Sequence, residues 1–220
     1  MTLQTLYALA VGPLALLAIS GFVLGCVYRI VTAFRQTASD RMVLYYFHPR
    51  YALRSILRWL TPYATVNMRR HPVMTAVTFV FHFGMVLMPF FIFGHVILVY
   101  EAFGLSWPTL PDILVEALAW VVLLALCFFA GRRILLPEVR YLSTLSDFLI
   151  LFMIALPFLT GLWAYRGWWG AEWATVFHIL SGEVLLMAIP FTRLGHMVSF
   201  FMTRGYMGSE FGGIRHARDW

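Results

Sequence analysis

Two histidines, His178 and His196, stand eighteen residues apart near the ends of the apolar stretch from Trp173 to Phe201. In an unbroken helix eighteen residues make five whole turns, so both imidazoles project from one face. A rise of about 1.5 Å per residue separates them by about 27 Å along the axis, close to the hydrocarbon thickness of a bilayer. A nitrogen ligand near each membrane surface, both facing one way, suits two stacked metal cofactors of the haem type. The plainer alternative is two polar side chains snorkelling toward the interfaces. Under the ligand reading a second helix must supply the opposing nitrogens.

That helix is the stretch from His71 to Tyr100, with His71 at its mouth and His82 and His95 within. The last span and this one run antiparallel, which pairs His82 with His196 toward one surface and His95 with His178 toward the other. Each pair would hold one iron between two axial imidazoles. One element does not fit an ideal helix. Thirteen residues turn through about 220°, so His82 and His95 should not share a face. Pro89 lies between them, and a proline kink or a neighbouring π-bulge can re-aim the second half. Gly84, Gly94, Gly182 and Gly195 flank the ligands and leave room for a porphyrin edge, or serve ordinary packing between membrane helices.

Other polar residues are weighed against these. His71 sits beside Arg69 and Arg70 as an interfacial residue, and as the spare ligand should His82 fail. His48 and His216 fall in basic segments and are poor ligand candidates. Arg133 and Arg193 lie where the propionates of an inner haem should fall, and a guanidinium pairs bidentately with a carboxylate; a positive anchor at the membrane surface is the other reading. Glu183, in the apolar body of the last span, is the least expected residue, since an intramembrane acid is costly unless protonated, paired or beside water. It is a candidate for carrying a proton to or from a bound substrate, against the alternative of a neutral packing acid.

The elements that position these residues follow from composition. The chain of 220 residues is 61% hydrophobic and 12% charged, which excludes a soluble domain and implies a polytopic membrane protein. Five apolar runs are long enough to span, at about 5–30, 73–99, 112–131, 147–165 and 174–201. The fold expected is an all-α bundle of five transmembrane helices forming a single domain over 1–220. The first run lacks a basic leader and a cleavage pattern, so it reads as a retained span. The linker after span one holds eight arginines from Arg29 to Arg70, the linker after span three holds Arg132, Arg133 and Arg140, and the tail holds Arg204, Arg215 and Arg218. The other two connections carry only Arg166, so the N-terminus is expected outside and the C-terminus in the cytoplasm. The net charge of +6 comes with no lysine at all, and reports loop orientation rather than nucleic-acid binding. Tyr51 to Leu60 reads as a short amphipathic helix on the inner membrane surface, or as a docking face for a cytoplasmic partner. The tryptophans of the outer connections, Trp107, Trp163, Trp168, Trp169 and Trp173, read as an aromatic belt. Cys26 and Cys127 read as small core residues without a disulfide.

With these residues assembled, the chain resembles the gamma subunit of respiratory nitrate reductase and its relatives, which are five-span dihaem cytochromes b. The resemblance rests on His178 followed by the PFTRLGH run at 190–196, on RRILLPEVR at 132–140, on SDFLILFMIALPFLTGL at 146–162, and on Phe81, His82, Gly84, Gly94 and His95 in span two. It covers about 78–205. There are departures. The nitrate reductase subunit spaces its span-two ligands more closely, and carries a lysine near the outer haem that helps bind quinol. These differences point to a cousin in membrane complexes of sulfate reducers and methanogens. There the partner is a heterodisulfide-reductase-like iron–sulfur protein, often with a periplasmic multihaem cytochrome c.

The resemblance implies two haem b groups, each held by two histidines. It implies electron transfer between a menaquinone or other quinone pool and a cytoplasmic iron–sulfur subunit, in a bacterial or archaeal inner membrane. Quinone should bind near the outer haem, close to Gly94 and His95. With the lysine absent, Glu183, Glu101 or Asp112 is left to handle the proton, and Glu183 ranks first; a site by the inner haem is the alternative. Two other readings stay open: a nitrate reductase gamma subunit proper, and a haem-free membrane anchor or transporter with histidines in packing or proton relay.

Overall fold

A computed structural model describes residues 2–39 and 47–220, with nothing said of the side chains of 37–39. Arg41 and the start of the segment Met42–Tyr63 therefore lie outside the described residues. The described chain is helical, with no strand among the described residues. Its α-helices are α1 (Leu3–Leu9), α2 (Ala15–Ser39), α3 (Pro49–Leu60), α4 (Val66–Arg70), α5 (Pro72–His82), α6 (Phe93–Phe103), α7 (Asp112–Leu135), α8 (Pro137–Tyr141), α9 (Leu145–Tyr165), α10 (Ala171–Ala188) and α11 (His196–Ser209). Five helical stretches are long and apolar enough to cross a membrane: Leu3–Gln36, Pro72–Phe91, Asp112–Leu135, Leu145–Tyr165 and Ala171–Phe191. Leu16, Leu24, Ile113, Leu124 and Leu135 are all exposed. A surface this apolar suits lipid as the solvent, because the backbone polar groups are satisfied within the helices.

Two of the expected spans are broken rather than straight. The second runs through α5, passes a π-turn at Phe83–Leu87 and a 3-10 turn at Met88–Phe91, and is interrupted by extended backbone at Ile92 before α6. The last was expected as one helix over 174–201, and is not. It leaves the α form at Ile189, takes an extended residue at Thr192, and restarts at His196. Pro190 supplies the reason, since a proline inside a helix removes one backbone donor and clashes with the preceding turn. The Thr192 hydroxyl then accepts from the Leu194 N–H and starts the next turn. The five-turn argument that put His178 and His196 on one face therefore does not apply.

The chain divides into two compact units, each described by itself. The first comprises the residues up to Tyr7 and Ala76–Gly182. Its core is α7 against α9: Ala119, Val122, Leu123 and Leu126 bury with Ile154, Phe158 and Leu162. Gly84 lies so close to Val122 that no Cβ would fit, so this glycine serves helix packing rather than a porphyrin edge. Arg133, expected at a propionate, is engaged otherwise. Its guanidinium donates to Ser143 Oγ at 3.0 Å and lies 3.6 Å from the Asp147 carboxylate, which is buried and caps α9 through Thr144. Cys127, expected in the core, is exposed.

The second unit comprises Ala8–Thr75 and Glu183–Trp220. Here α3 begins at Pro49, a residue suited to a first helical position. It packs on α11 through small residues: Ala52 and Ser55 are buried, and a Cβ on Gly208 would stand 2.5 Å from Ser55 Cβ and 2.6 Å from the Tyr51 carbonyl oxygen. Ser209 Oγ accepts from the His48 N–H at 3.1 Å and donates to the Gly205 carbonyl at 2.8 Å. Leu53, Leu57 and Leu60, one turn apart along another face, remain exposed. Arg29 of α2 reaches the break in the last span. Its Nε donates to the Pro190 carbonyl and its Nη2 to the Thr192 carbonyl at 3.1 Å. A Cβ on Gly195 would meet the same guanidinium at 2.6 Å, so this glycine too is explained by a neighbour.

Candidate functional site

Three of the four histidines singled out as ligands, His82, His95 and His178, fall in the first unit, and His196 in the second. His95 is placed by the break in the second span. Once the backbone turns extended at Ile92, the carbonyls at the end of the preceding helix need new donors. They receive them in order: Pro89 from His95 Nδ1 at 2.8 Å, Phe90 from the Trp107 indole, and Phe91 from the Leu110 N–H at 2.9 Å. The π-turn and the interruption make the second half a new helix with its own direction, so the ideal-helix angle between His82 and His95 does not apply. Trp107, expected in an aromatic belt, is a helix-end donor.

His178 is placed by α9. Its Nδ1 lies 2.7 Å from the Pro157 carbonyl oxygen. Gly161, one turn on, makes that approach possible, since a Cβ there would stand 3.0 Å from His178 Cε1 and Nδ1. Gly161 is not among the candidate residues of the sequence; its place one turn after Pro157 is the signal that marks a close approach. The result is a pair: the His95 and His178 rings have centroids 5.8 Å apart and planes inclined by 23°.

His82 Nδ1 lies 2.7 Å from the Thr78 carbonyl oxygen, and His196 Nδ1 lies 2.9 Å from that of Arg193. Both residues are exposed. All four rings thus share one feature. A carbonyl oxygen only accepts, so each Nδ1 carries the proton and each Nε2 the lone pair. That tautomer, fixed by a hydrogen bond to backbone, is how metal-bound histidines are usually held.

These residues can be tested against a bis-histidine haem. Two metal–imidazole bonds of about 2 Å plus the ring radii put opposed axial imidazoles roughly 6 Å apart between centroids. The His95–His178 centroid distance of 5.8 Å falls in that range. Two imidazoles in plain contact fall in the same range, so the spacing gains meaning from the shared tautomer. Among the described residues no cluster of three or more His, Cys, Asp or Glu could hold a metal ion. A haem asks for two protein ligands only, its porphyrin supplying the rest.

The remaining candidates are placed as follows. Gly94, beside His95, and Gly182 face open space, with nothing within 4 Å of where a Cβ would stand. Glu183 lies on α10 five residues after His178, and its Oε1 is buried without a hydrogen-bond partner. Glu101 on α6 and Asp112 at the start of α7 are exposed. Arg193 stands in the turn before His196. His71 ends α4 and is exposed.

No protein-family model matches the chain, and no solved structure matches it. A protein of Nitratidesulfovibrio vulgaris, described simply as "Protein", is 37% identical over 214 residues, covering 94% of this chain and 93% of its own length.

Proposed function

We propose that this chain, which belongs to the same family as the Nitratidesulfovibrio vulgaris protein, is a dihaem cytochrome b subunit that passes electrons between the membrane quinone pool and a cytoplasmic iron–sulfur partner. The observation that carries the reading is the His95–His178 pair, with both Nδ1 protons committed to carbonyls. These two residues would hold one haem b; the second haem is carried over from the sequence resemblance alone, which assigns it to His82 and His196. When bound, each haem supplies one-electron redox chemistry. The protein's own contribution is orientation. The Pro89 and Pro157 carbonyls keep the Nδ1 protons in place, and Gly161 keeps the approach to His178 open.

Quinone is proposed to bind near His95 and Gly94, where no side chain fills the space beside the glycine. Glu183 is the group that the sequence ranks first for exchanging a proton with quinone, as an acid within an apolar span. Arg193 is kept as a propionate partner on the inner side, while Arg133 is tied to Asp147 and Ser143 and acts in our reading as a structural anchor. The arginine distribution supports an N-terminus outside and a C-terminus inside. In that orientation the open Leu53–Leu57–Leu60 face of α3 rests on the inner membrane surface. The membrane is proposed to be the inner membrane of a bacterium or archaeon. The partners are a heterodisulfide-reductase-like iron–sulfur subunit inside and a multihaem cytochrome c outside.

The test is a reduced-minus-oxidised visible spectrum of the purified chain with haem quantified. Two haem b per chain are expected, and His95→Ala or His178→Ala should each remove the same one. A preparation with the chain intact and no b-type bands would leave the haem-free anchor or transporter standing instead.

A further inference from the structure

The second unit contains a cavity of about 410 Å³ that the electron-transfer proposal does not use. Its walls come from the end of α3, from α4, from α11 and from the C-terminal tail, including Trp59, Asn67, Arg70, Arg218, Asp219 and Trp220. The tail is seated firmly. Arg54 and Arg58 lie over the Trp220 ring at 4.6 and 5.5 Å, and Arg204 lies over Trp59 at 4.3 Å. The Asp219 side chain is only 2% exposed; its Oδ2 accepts from Ser55 Oγ and lies 3.9 Å from Arg204.

Two buried polar atoms in this wall have no hydrogen-bond partner among the described residues: the acceptor Asp219 Oδ1 and the donor Trp59 Nε1. A buried polar atom left unpaired is unfavourable, so the cavity suits something that supplies both a donor and an acceptor. Arg70 and Arg218 line the same space and enter no ion pair among the described residues. Two guanidinium groups and an indole N–H suit the oxygens of a phosphate. A carboxylate oxygen repels a second anion, so Asp219 Oδ1 suits a hydroxyl that donates to it.

We propose that this cavity binds the head group of an anionic glycerophospholipid, with the phosphodiester on Arg70, Arg218 and Trp59 Nε1 and a head-group hydroxyl on Asp219 Oδ1. The lipid source rests on the proposed seating of α3 at the inner membrane surface, whose open leucine face belongs to the same unit. It does not depend on haem.

The purified full chain in nonionic detergent is titrated in native mass spectrometry with phosphatidylglycerol, with phosphatidylmethanol (the same charge, no head-group hydroxyl), and with phosphatidylcholine. Glycerol 3-phosphate serves as the soluble arm. One phosphatidylglycerol per chain is expected, held about tenfold or more tighter than phosphatidylcholine. The double variant Arg70→Gln/Arg218→Gln should lose that margin. The preference over phosphatidylmethanol, roughly tenfold, should vanish in Asp219→Ala, which removes the acceptor. Because Asp219 also seats the tail, Trp59→Phe is measured beside it and should weaken phosphatidylglycerol binding while leaving the Ser55–Asp219 bond in place and an aromatic ring under Arg204. Equal retention of all three lipids, or an unchanged double arginine variant, would overturn the proposal. Glycerol 3-phosphate binding as tightly as the lipid would assign the site to a soluble phosphate and overturn the lipid. Haem content is not part of the readout, so failure here and failure of the dihaem proposal are separate results.

Discussion

At the scale of single residues, one repeated device sets the chemistry. Each of four imidazoles gives its Nδ1 proton to a backbone carbonyl and so presents Nε2 as the basic nitrogen. For His178 the device depends on an absent side chain. Gly161→Val places a branched side chain where even a Cβ would stand 3.0 Å from the imidazole, an overpacking that costs about 1–3 kcal/mol. The expected outcome is loss of one haem of two, as in His178→Ala, with the chain still in the membrane; haem quantification checks it. Arg133→Gln should behave oppositely. Breaking its contacts to Asp147 and Ser143 lowers the thermal unfolding midpoint, by an amount corresponding to about 1–3 kcal/mol, and leaves the haem spectrum unchanged. A lost haem in that variant would return Arg133 to the propionate role.

At the scale of elements, the two broken spans matter more than the straight ones. The second is broken so that His95 can start a helix of its own direction, and the freed carbonyls are covered by His95, Trp107 and Leu110. Trp107→Phe leaves the Phe90 carbonyl without its indole donor at a cost of about 0.5–1.5 kcal/mol. We expect the haem assigned to His95 to be lost first on warming, followed by absorbance, while the other is retained. Coincident loss of both would mean that the break is held by other contacts. The last span is broken at Pro190, and Arg29 holds the break through two carbonyls. Arg29→Gln should shift the midpoint potential or the spectrum of the haem assigned to His196, because the turn carrying that histidine is no longer held. Replacement by lysine restores the charge but not the fork of donors, and should rescue only in part.

At the scale of the whole molecule, five apolar helical stretches suit a multi-pass membrane protein, and the proposed orientation puts the arginine-rich connections in the cytoplasm. The iron–sulfur partner is expected on the surfaces formed by the 31–70 linker, the 131–146 loop and the 202–220 tail. Of these, residues 40–46 lie outside the described residues. Crosslinking mass spectrometry of the intact complex checks this. Crosslinks confined to 100–111 and 166–173 would place the partner on the opposite face. In the tail, the small-residue seam between α3 and α11 and the rings stacked under Arg54, Arg58 and Arg204 make a surface that is ordered by its own contacts.

The sequence by itself determined the class and the spans, because a run of apolar residues and a run of arginines act through composition and need no knowledge of neighbours. It also marked Pro89 and a neighbouring π-bulge as the place where the helix between His82 and His95 loses its regular period, since proline's missing N–H is a local property. It erred where a regular period was carried through a breaker: His178 and His196 count as five turns only if Pro190 is ignored, and the Pro190–Gly195 break ends that helix. Only the tertiary structure decided what fills each gap. Gly84 meets Val122, Gly195 meets Arg29 and Gly161 meets His178, whereas Gly94 meets nothing. Which neighbour approaches a glycine depends on how separate helices pack, and no spacing along one of them contains that information.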